Sequence, residues 1–367
     1  MEKYIFSKVW KTVFIHLLRI PTKAFKNEFS FFSFNMGNLP FEKIKRVELV
    51  RQKLSTSDKF GCDPFNRPIS DLLSYGVVNI DKPSGPTSHQ VSSFVQKILD
   101  IPKSGHSGTL DPKVTGVLPV ALGKGTRVVQ SLLTAGKEYV CLMHVHAPFE
   151  EDKLREIMSE QFVGKIKQMP PIKSAVKRQN RFRKIYYAEI LDIKGQDVLV
   201  RIGCQAGTYI RKWCHDFGVA MGSGAHMAEL RRTKAGPFNE STSLCSLYDL
   251  TDAFHYYKNE NNGAPLRKII HPVETAVSHL PKVWVSDAAV DTISHGATLK
   301  VPGIAKVETE IQVGEPVSIL SLKGELVAVG TALMTSAEMH KAPRGVAVKS
   351  SQVFMVPGTY PKIEKIL

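Results

Sequence analysis

The texture of the chain changes near Leu280, and this break limits its folds more than any other feature. Before it, strand-like and helix-like runs alternate. Residues 76–81 read as a strand ended by Lys82-Pro83, and Ser88 can cap a helix over 90–99 with Val91, Phe94, Val95 and Ile98 on its apolar face. Residues 138–145 follow as a strand, 149–162 as an acidic amphipathic helix, 184–191 and 197–203 as a strand pair, 209–219 as a helix, and 231–238 as strand and turn. After it, short β-like runs at 282–285, 317–321, 326–333, 346–348 and 353–356 alternate with Gly and Pro turns, the pattern of a small β-barrel. Residues 36–75 are mixed, with a helix expected over 41–54 and then the Pro/Gly/Asn-rich connector Gly61-Cys62-Asp63-Pro64-Phe65-Asn66-Arg67-Pro68. The expected fold class is α/β (α+β): a central mixed or antiparallel sheet flanked by helices, plus a small C-terminal β-barrel. The expected division is an extension over 1–35, an arm over 36–75, a large domain over 76–280 and the barrel over 281–361.

Charge narrows the partners. The 367 residues carry 49 Lys+Arg against 34 Asp+Glu, a net +15. Such a surface attracts polyanions, nucleic acid first and an anionic membrane second. No apolar run reaches the ~20 residues that spanning a bilayer needs. The five cysteines form no CxxC pair, which points to reduced thiols rather than a disulfide scaffold or structural zinc. Residues 1–35 are basic with apolar clusters. They read as a targeting segment or as a start placed too early, with Met36 as the true beginning; +11 would remain without them.

The chemistry concentrates in Gly105-His106-Ser107-Gly108-Thr109-Leu110-Asp111-Pro112. A Gly/Ser/Thr turn presents one carboxylate just before a proline, a conformation that costs free energy unless it positions something. Alone, Asp111 also reads as a turn aspartate satisfying local N–H groups. Its flanks decide. Upstream stands Asn79-Ile80-Asp81-Lys82-Pro83-Ser84-Gly85-Pro86-Thr87-Ser88-His89; downstream stands Thr115-Gly116-Val117-Leu118-Pro119-Val120-Ala121-Leu122-Gly123. Together these resemble the active-site motif of the TruB/dyskerin family of pseudouridine synthases, across roughly residues 67–361.

That resemblance implies an isomerase without cofactor or metal, in which Asp111 is the essential carboxylate. Attack on C1′, attack on C6 and removal of a sugar proton all fit a carboxylate there. In Gly136-Lys137-Glu138-Tyr139, Tyr139 is implied to stack on the target base and relay the proton lost from C5. In Ala206-Gly207-Thr208-Tyr209-Ile210-Arg211, Arg211 is implied to pair with the aspartate. A guanidinium can do so with two parallel bonds, and a cation in a helix's first turn opposes the dipole, so another reason for it is expected. Leu230 matches an apolar pocket residue, His106 a wedge beside the flipped nucleotide, and Lys82 a pocket residue whose expected role is support of the loop. The second domain is similar to the PUA domain, an RNA-binding module, through His295-Gly296-Ala297, Val301-Pro302-Gly303-Ile304, Lys323-Gly324-Glu325-Leu326-Val327-Ala328 and Pro357-Gly358-Thr359-Tyr360.

RNA contacts are expected from Lys173, Lys177, Arg178, Arg181, Arg183 and Lys184, with Phe182, Tyr186 and Tyr187 among them, because cations meet phosphates and rings meet bases. Arg231 and Arg232, with Lys234, form a smaller basic cluster. Residues 36–75, Ser174-Ala175-Val176-Lys177-Arg178 and Gly224-Ala225-His226-Met227 resemble the dyskerin branch. The implied partners are H/ACA guide RNA, rRNA or tRNA and small H/ACA proteins, with no membrane. The absence of long Lys-rich tails favours an archaeal-type cytoplasmic protein over a nucleolar one. Three alternatives stand beside this: a non-catalytic RNA scaffold, a stand-alone enzyme on the tRNA T-loop, and a base-exchanging transglycosylase. His144 and His146 share one strand face, but with no third ligand evident a metal is not expected.

Overall fold

The computed structural model describes residues 37–170 and 179–362. The expectations on residues 1–35 and on Lys173, Lys177 and Arg178 therefore lie outside the described residues. The described residues from Asn38 onward form one compact unit.

The larger sheet has ten strands. Its path runs Ile270–Pro272, Gly76–Lys82, Thr115–Leu122, Ala225–Ala235, Lys137–Val145, Asp197–Cys204, Arg181–Lys194 and Gly164–Gln168, with Ser104–His106 and Phe238–Asn239 paired off it. Thr115–Leu122 and Ala225–Ala235 are parallel, and the other pairings are antiparallel, so the sheet is mixed as expected. One face is covered by the helices Glu151–Gln161 and Ile210–Met221, which bury Leu154, Met158, Trp213 and Phe217 against Cys141, Met143, Val198, Val200 and Ile202. A second cluster packs Val91, Val95, Leu250 and Ala253 on Val78, Ile80, Leu118 and Val120. Each such side chain contributes about 1.5–3 kcal/mol by leaving water. Phe94, expected on the apolar face, is instead 40% exposed. Helix Ser88–Ile98 starts two residues earlier than expected, capped by Thr87 in a capping box with Gln90. That frees the Ser88 hydroxyl for another task.

The smaller sheet has seven strands in the order Glu48–Val50, Ile304–Glu308, Lys282–Val285, Pro316–Leu320, Leu326–Ala332, Val346–Val353 and Leu299–Lys300. Its core gathers Val283, Val285, Ile304, Val317, Ile319 and Val348. The helix expected over 41–54 is replaced by a short helix, Pro40–Lys43, and the strand Glu48–Val50, which pairs with Ile304–Glu308. Tertiary pairing overrides the local helical spacing there. The two sheets share an apolar cluster in which Val77, Val117, Leu132 and Phe238 meet Leu320, Leu326, Val329 and Phe354. Among the described residues no helix is long and apolar enough to cross a membrane.

Candidate active site

The loop between Ser104–His106 and Thr115–Leu122 carries Asp111, and it is held from three sides. Leu110 N donates to Ser88 Oγ at 2.8 Å, the task that the freed hydroxyl performs. Lys82 is fully buried, and its ammonium donates to the carbonyls of Pro83 (2.9 Å), Pro112 (2.9 Å) and Val114 (2.8 Å). Arg232 donates from Nε to Val117 O at 2.7 Å and from Nη2 to Gly108 O at 3.5 Å. Gly116 permits the close approach: its φ is +102°, and a Cβ there would lie 2.2 Å from the Arg232 carbonyl oxygen. The backbone is thus fixed while the Asp111 side chain stays half exposed.

Arg211 is the second residue of helix Ile210–Met221, and its Nη2 donates to Asp111 Oδ2. One bond is recorded, from one nitrogen, not the two-pronged pairing expected of a guanidinium. The unfavourable place of a cation in the first turn is offset by a carboxylate brought from a loop 100 residues earlier in the chain. Tyr139 lies in the central strand Lys137–Val145, opposite Arg232 in register. Burial pushes its phenol above the usual tyrosine range, the Arg232 guanidinium opposes that by charge and hydrogen bond, and the Asp111 carboxylate adds to it. The phenol is therefore protonated at neutral pH and within electrostatic reach of Asp111.

His106 is half-buried, and burial, Arg232 and His89 lower its pKa, so it stands neutral. Its Nδ1 is buried without a hydrogen-bond partner. Leu230, half-buried on Ala225–Ala235, packs against the core of the helical face and lies opposite Cys141. Lys82 presents no ammonium to the pocket, because its three donors are taken by carbonyls. Burial lowers its pKa, Arg232 lowers it further, and Asp111 opposes the change.

The two adjacent arginines depart from the expected basic surface. Arg231 is clamped by Asp81 through Nη1 (2.8 Å) and Nη2 (3.1 Å) and by Glu240 through Nε (2.7 Å). Arg232 is 1% exposed. Successive strand residues point to opposite faces, so one arginine entered the interior and the other met two carboxylates. Arg183 is half-buried and spends Nε on Gly207 O and Nη1 on Phe182 O. Arg181 is half-buried on the same strand, and Lys184 is exposed. An open basic and aromatic face does form here. Phe182 lies opposite Lys167 and Lys184 opposite Lys165. The Lys165 ammonium sits 4.4 Å from the exposed Phe182 ring centroid. Lys165 and Lys167 fall outside the charge run that drew attention in the sequence.

Lys137, in Gly136-Lys137-Glu138-Tyr139, carries no local signal of the role it takes. It is buried, and its ammonium closes the end of helix Val129–Thr134 by donating to the carbonyls of Leu132 (2.8 Å), Leu133 (2.9 Å) and Ala135 (2.8 Å). His144 and His146 gain His226 as a neighbour, with His146 Nε2 and His226 Nδ1 2.9 Å apart and His144 Nδ1 2.7 Å from Asp197. Among the described residues no three such side chains are arranged to hold a metal ion.

Comparison with known proteins shows the family. The chain matches the models of the TruB family pseudouridylate synthase N-terminal domain over residues 96–210, the tRNA pseudouridylate synthase B C-terminal domain over 211–278, the PUA domain over 281–354 and the DKCLD domain over 38–92. It is 52% identical over 324 residues to a probable tRNA pseudouridine synthase B of Methanopyrus kandleri, covering 88% of this chain and 95% of that one. A protein of the same description from Pyrococcus furiosus is 53% identical over 321 residues, covering 87% and 94%. Among solved structures, one of a Cbf5–Nop10–Gar1 complex superposes with TM-score 0.85 at 53% identity, over 89% of this chain and 99% of that one. One of an H/ACA ribonucleoprotein bound to a substrate RNA containing 2′-deoxyuridine gives 0.83 at 50% identity, over 89% and 100%. The chain belongs to the TruB family of pseudouridylate synthases.

Proposed function

We propose that this protein isomerises uridine to pseudouridine in RNA, with Asp111 as its catalytic carboxylate, Arg211 as the cation that orients it and Tyr139 as the ring against which the displaced base rests. The N1–C1′ bond breaks, the base turns, a C5–C1′ bond forms, the proton on C5 leaves and N1 regains one; nothing is oxidised or reduced. The observation that carries this reading is the ion pair between Arg211 and Asp111 at the mouth of an otherwise fixed loop. A half-exposed carboxylate on a rigid backbone is free to meet a nucleotide taken out of its stack. His106 and Leu230 would complete the apolar wall, with Lys82 supporting the loop from beneath. Because the phenol of Tyr139 is protonated at neutral pH, it serves as a proton donor or a link in a relay rather than as a standing base.

The partners are RNA and small H/ACA proteins. Solved relatives include a Cbf5–Nop10–Gar1 complex, an H/ACA ribonucleoprotein bound to a substrate RNA and an archaeal box H/ACA Nop10–Cbf5 complex, and the curated relatives are described as probable tRNA pseudouridine synthases B. Guided action on rRNA and unguided action on the tRNA T-loop both fit that record, in an archaeal-type cytoplasm. The large domain over 76–280 would hold the chemistry, and 281–361 would grip RNA.

Asp111→Asn tests the reading. Release of label from RNA tritiated at C5 of uridine should fall by at least about 1,000-fold, while RNA affinity stays within about threefold. Label release by the variant at the wild-type rate would remove Asp111 from the chemistry. No release by the wild type, on tRNA or on guided RNA with small H/ACA proteins, would favour a scaffold without activity.

A further inference from the structure

Arg232 is a buried guanidinium to which the chemistry above assigns nothing. It is 1% exposed, in a chain whose other arginines beside the pocket, Arg211 and Arg231, both face carboxylates. Its own partners among the described residues are two backbone carbonyls and a phenol. A cation in such a place is unfavourable unless its donors are spent on something that must be held.

What it holds is specific. Gly108 and Val117, whose carbonyls it binds, stand on either side of Asp111, the first within its loop and the second in the strand that follows. Across the sheet, Arg232 lies opposite Tyr139 in register, at a point where the pairing shifts between Glu138 and Tyr139. The irregularity turns the local strand, and such irregularities re-aim side chains. One planar fork therefore reaches a carbonyl of the Asp111 loop, a carbonyl of the strand that follows it, and the Tyr139 phenol. A lysine's three donors all leave one atom, so it cannot set them at the separated positions that the guanidinium's nitrogens occupy.

We infer that Arg232 is a positioning residue, resting on the proposed function above: it sets the Tyr139 ring and the Asp111 loop in one fixed relation, acting through both and touching no substrate. The charge agrees with that placement. Arg232 pulls down the Tyr139 phenol and is itself lowered by burial, with Tyr139 holding it up.

Arg232→Lys keeps a cation and loses the fork. Its kcat should fall by about 100-fold while KM and RNA affinity change less than about threefold, because displacement of about an ångström costs that much in rate. In a Tyr139→Phe background the same change should cost much less, since the tie to the ring is already cut. An unchanged kcat, equal losses in both backgrounds, or a loss confined to KM overturns the inference. Should Arg232→Lys not fold, a second measurement keeps the native arginine: the guanidinium N–H resonances of Arg232, followed by NMR. They should shift in Tyr139→Phe and stay in place in His146→Ala, at the remote histidine cluster. Resonances unmoved by Tyr139→Phe reject the inference whatever the fate of the lysine variant. A wild type that makes no pseudouridine defeats the enzymatic reading instead, and the resonance test still decides the contact.

Discussion

Buried cations are held differently at the junction of the two sheets and beneath the pocket. At the junction Arg67 meets Glu274 with two parallel bonds of 2.8 Å, and the same carboxylate accepts from Leu326 N at 2.9 Å. Burial disfavours the Arg67 charge, but the hydrogen bonds and charge of Glu274 more than offset this and raise its pKa. Beneath the pocket, Lys82, Lys137 and Arg232 face carbonyl oxygens, and none of their recorded hydrogen bonds is to a carboxylate. A guanidinium against a carboxylate is close to neutral and exerts little field beyond itself. A cation against carbonyls has no countercharge beside it, so the charge it carries acts on whatever stands at the pocket mouth: the Asp111 carboxylate, and the phosphates of an incoming RNA. The junction joins two domains; the pocket spends buried charge on a site.

The largest effect should come from the junction. Arg67→Met leaves Glu274 buried without its partner and should destabilise folding by about 3–5 kcal/mol in urea titration. Removing both charges, as Arg67→Met with Glu274→Met, should recover most of that. Turnover per folded molecule should be unchanged in either case. If turnover fell with stability, the junction would belong to the site and the contrast would collapse. Lys82→Met comes next, at about 2–3 kcal/mol, because three buried carbonyls lose their donor. Here turnover should fall with stability while RNA affinity holds, since two of those carbonyls, on Pro112 and Val114, fix the loop of Asp111.

Lys137 offers a gentler probe. Burial and Arg232 push its ammonium down from 10.5 to about 7. The unfolded chain, with the ordinary value, binds the proton more readily between these limits. Wild-type stability therefore rises as pH climbs from about 7 towards 10, and the deficit is fully present below pH 7. Relative to Lys137→Met, the gain should be about 1–2 kcal/mol between pH 7 and 9, read as the difference in urea midpoints. Parallel curves for the two proteins would mean that the three carbonyls hold the ammonium charged throughout, as they would if hydrogen bonding outweighed burial.

The sequence showed this site unevenly, for physical reasons. Asp111, Tyr139 and Arg211 could be picked out because each sits in a short contiguous stretch that resembles a motif of the family, and Arg211 and Tyr139 come within electrostatic reach of Asp111 from separate elements. Their supports could not. Ser88 reads as a helix cap until Thr87 is seen to hold that place. Arg231 and Arg232 read as a basic surface because a count of charge does not know which strand face is inward. Glu48–Val50 reads as helix because its partner strand, Ile304–Glu308, stands some 250 residues away and no local spacing announces it. His226 was invisible beside His144 and His146 for the same reason: strand register, not proximity in the chain, brings them together.

The smallest predicted effect concerns cations that are neither paired nor buried. Lys165 and Lys167 are exposed on Gly164–Gln168, beside Phe182 and Lys184 of the neighbouring strand. An exposed ammonium meets a phosphate by displacing a condensed counterion, so its contribution is to affinity and depends on salt. Lys165→Ala and Lys167→Ala should each weaken RNA binding only about two- to threefold at moderate salt. Each should also reduce the slope of log affinity against log salt by about 0.7–0.9. The kcat at saturating RNA should not move. Lys82→Met is predicted to do the reverse, lowering kcat and leaving the slope alone, so the two variants measured side by side separate surface charge from buried charge. A kcat that fell in Lys165→Ala, or a salt slope that fell in Lys82→Met, would mean that the pocket and the open face share one electrostatic function, and that burial is not what divides them.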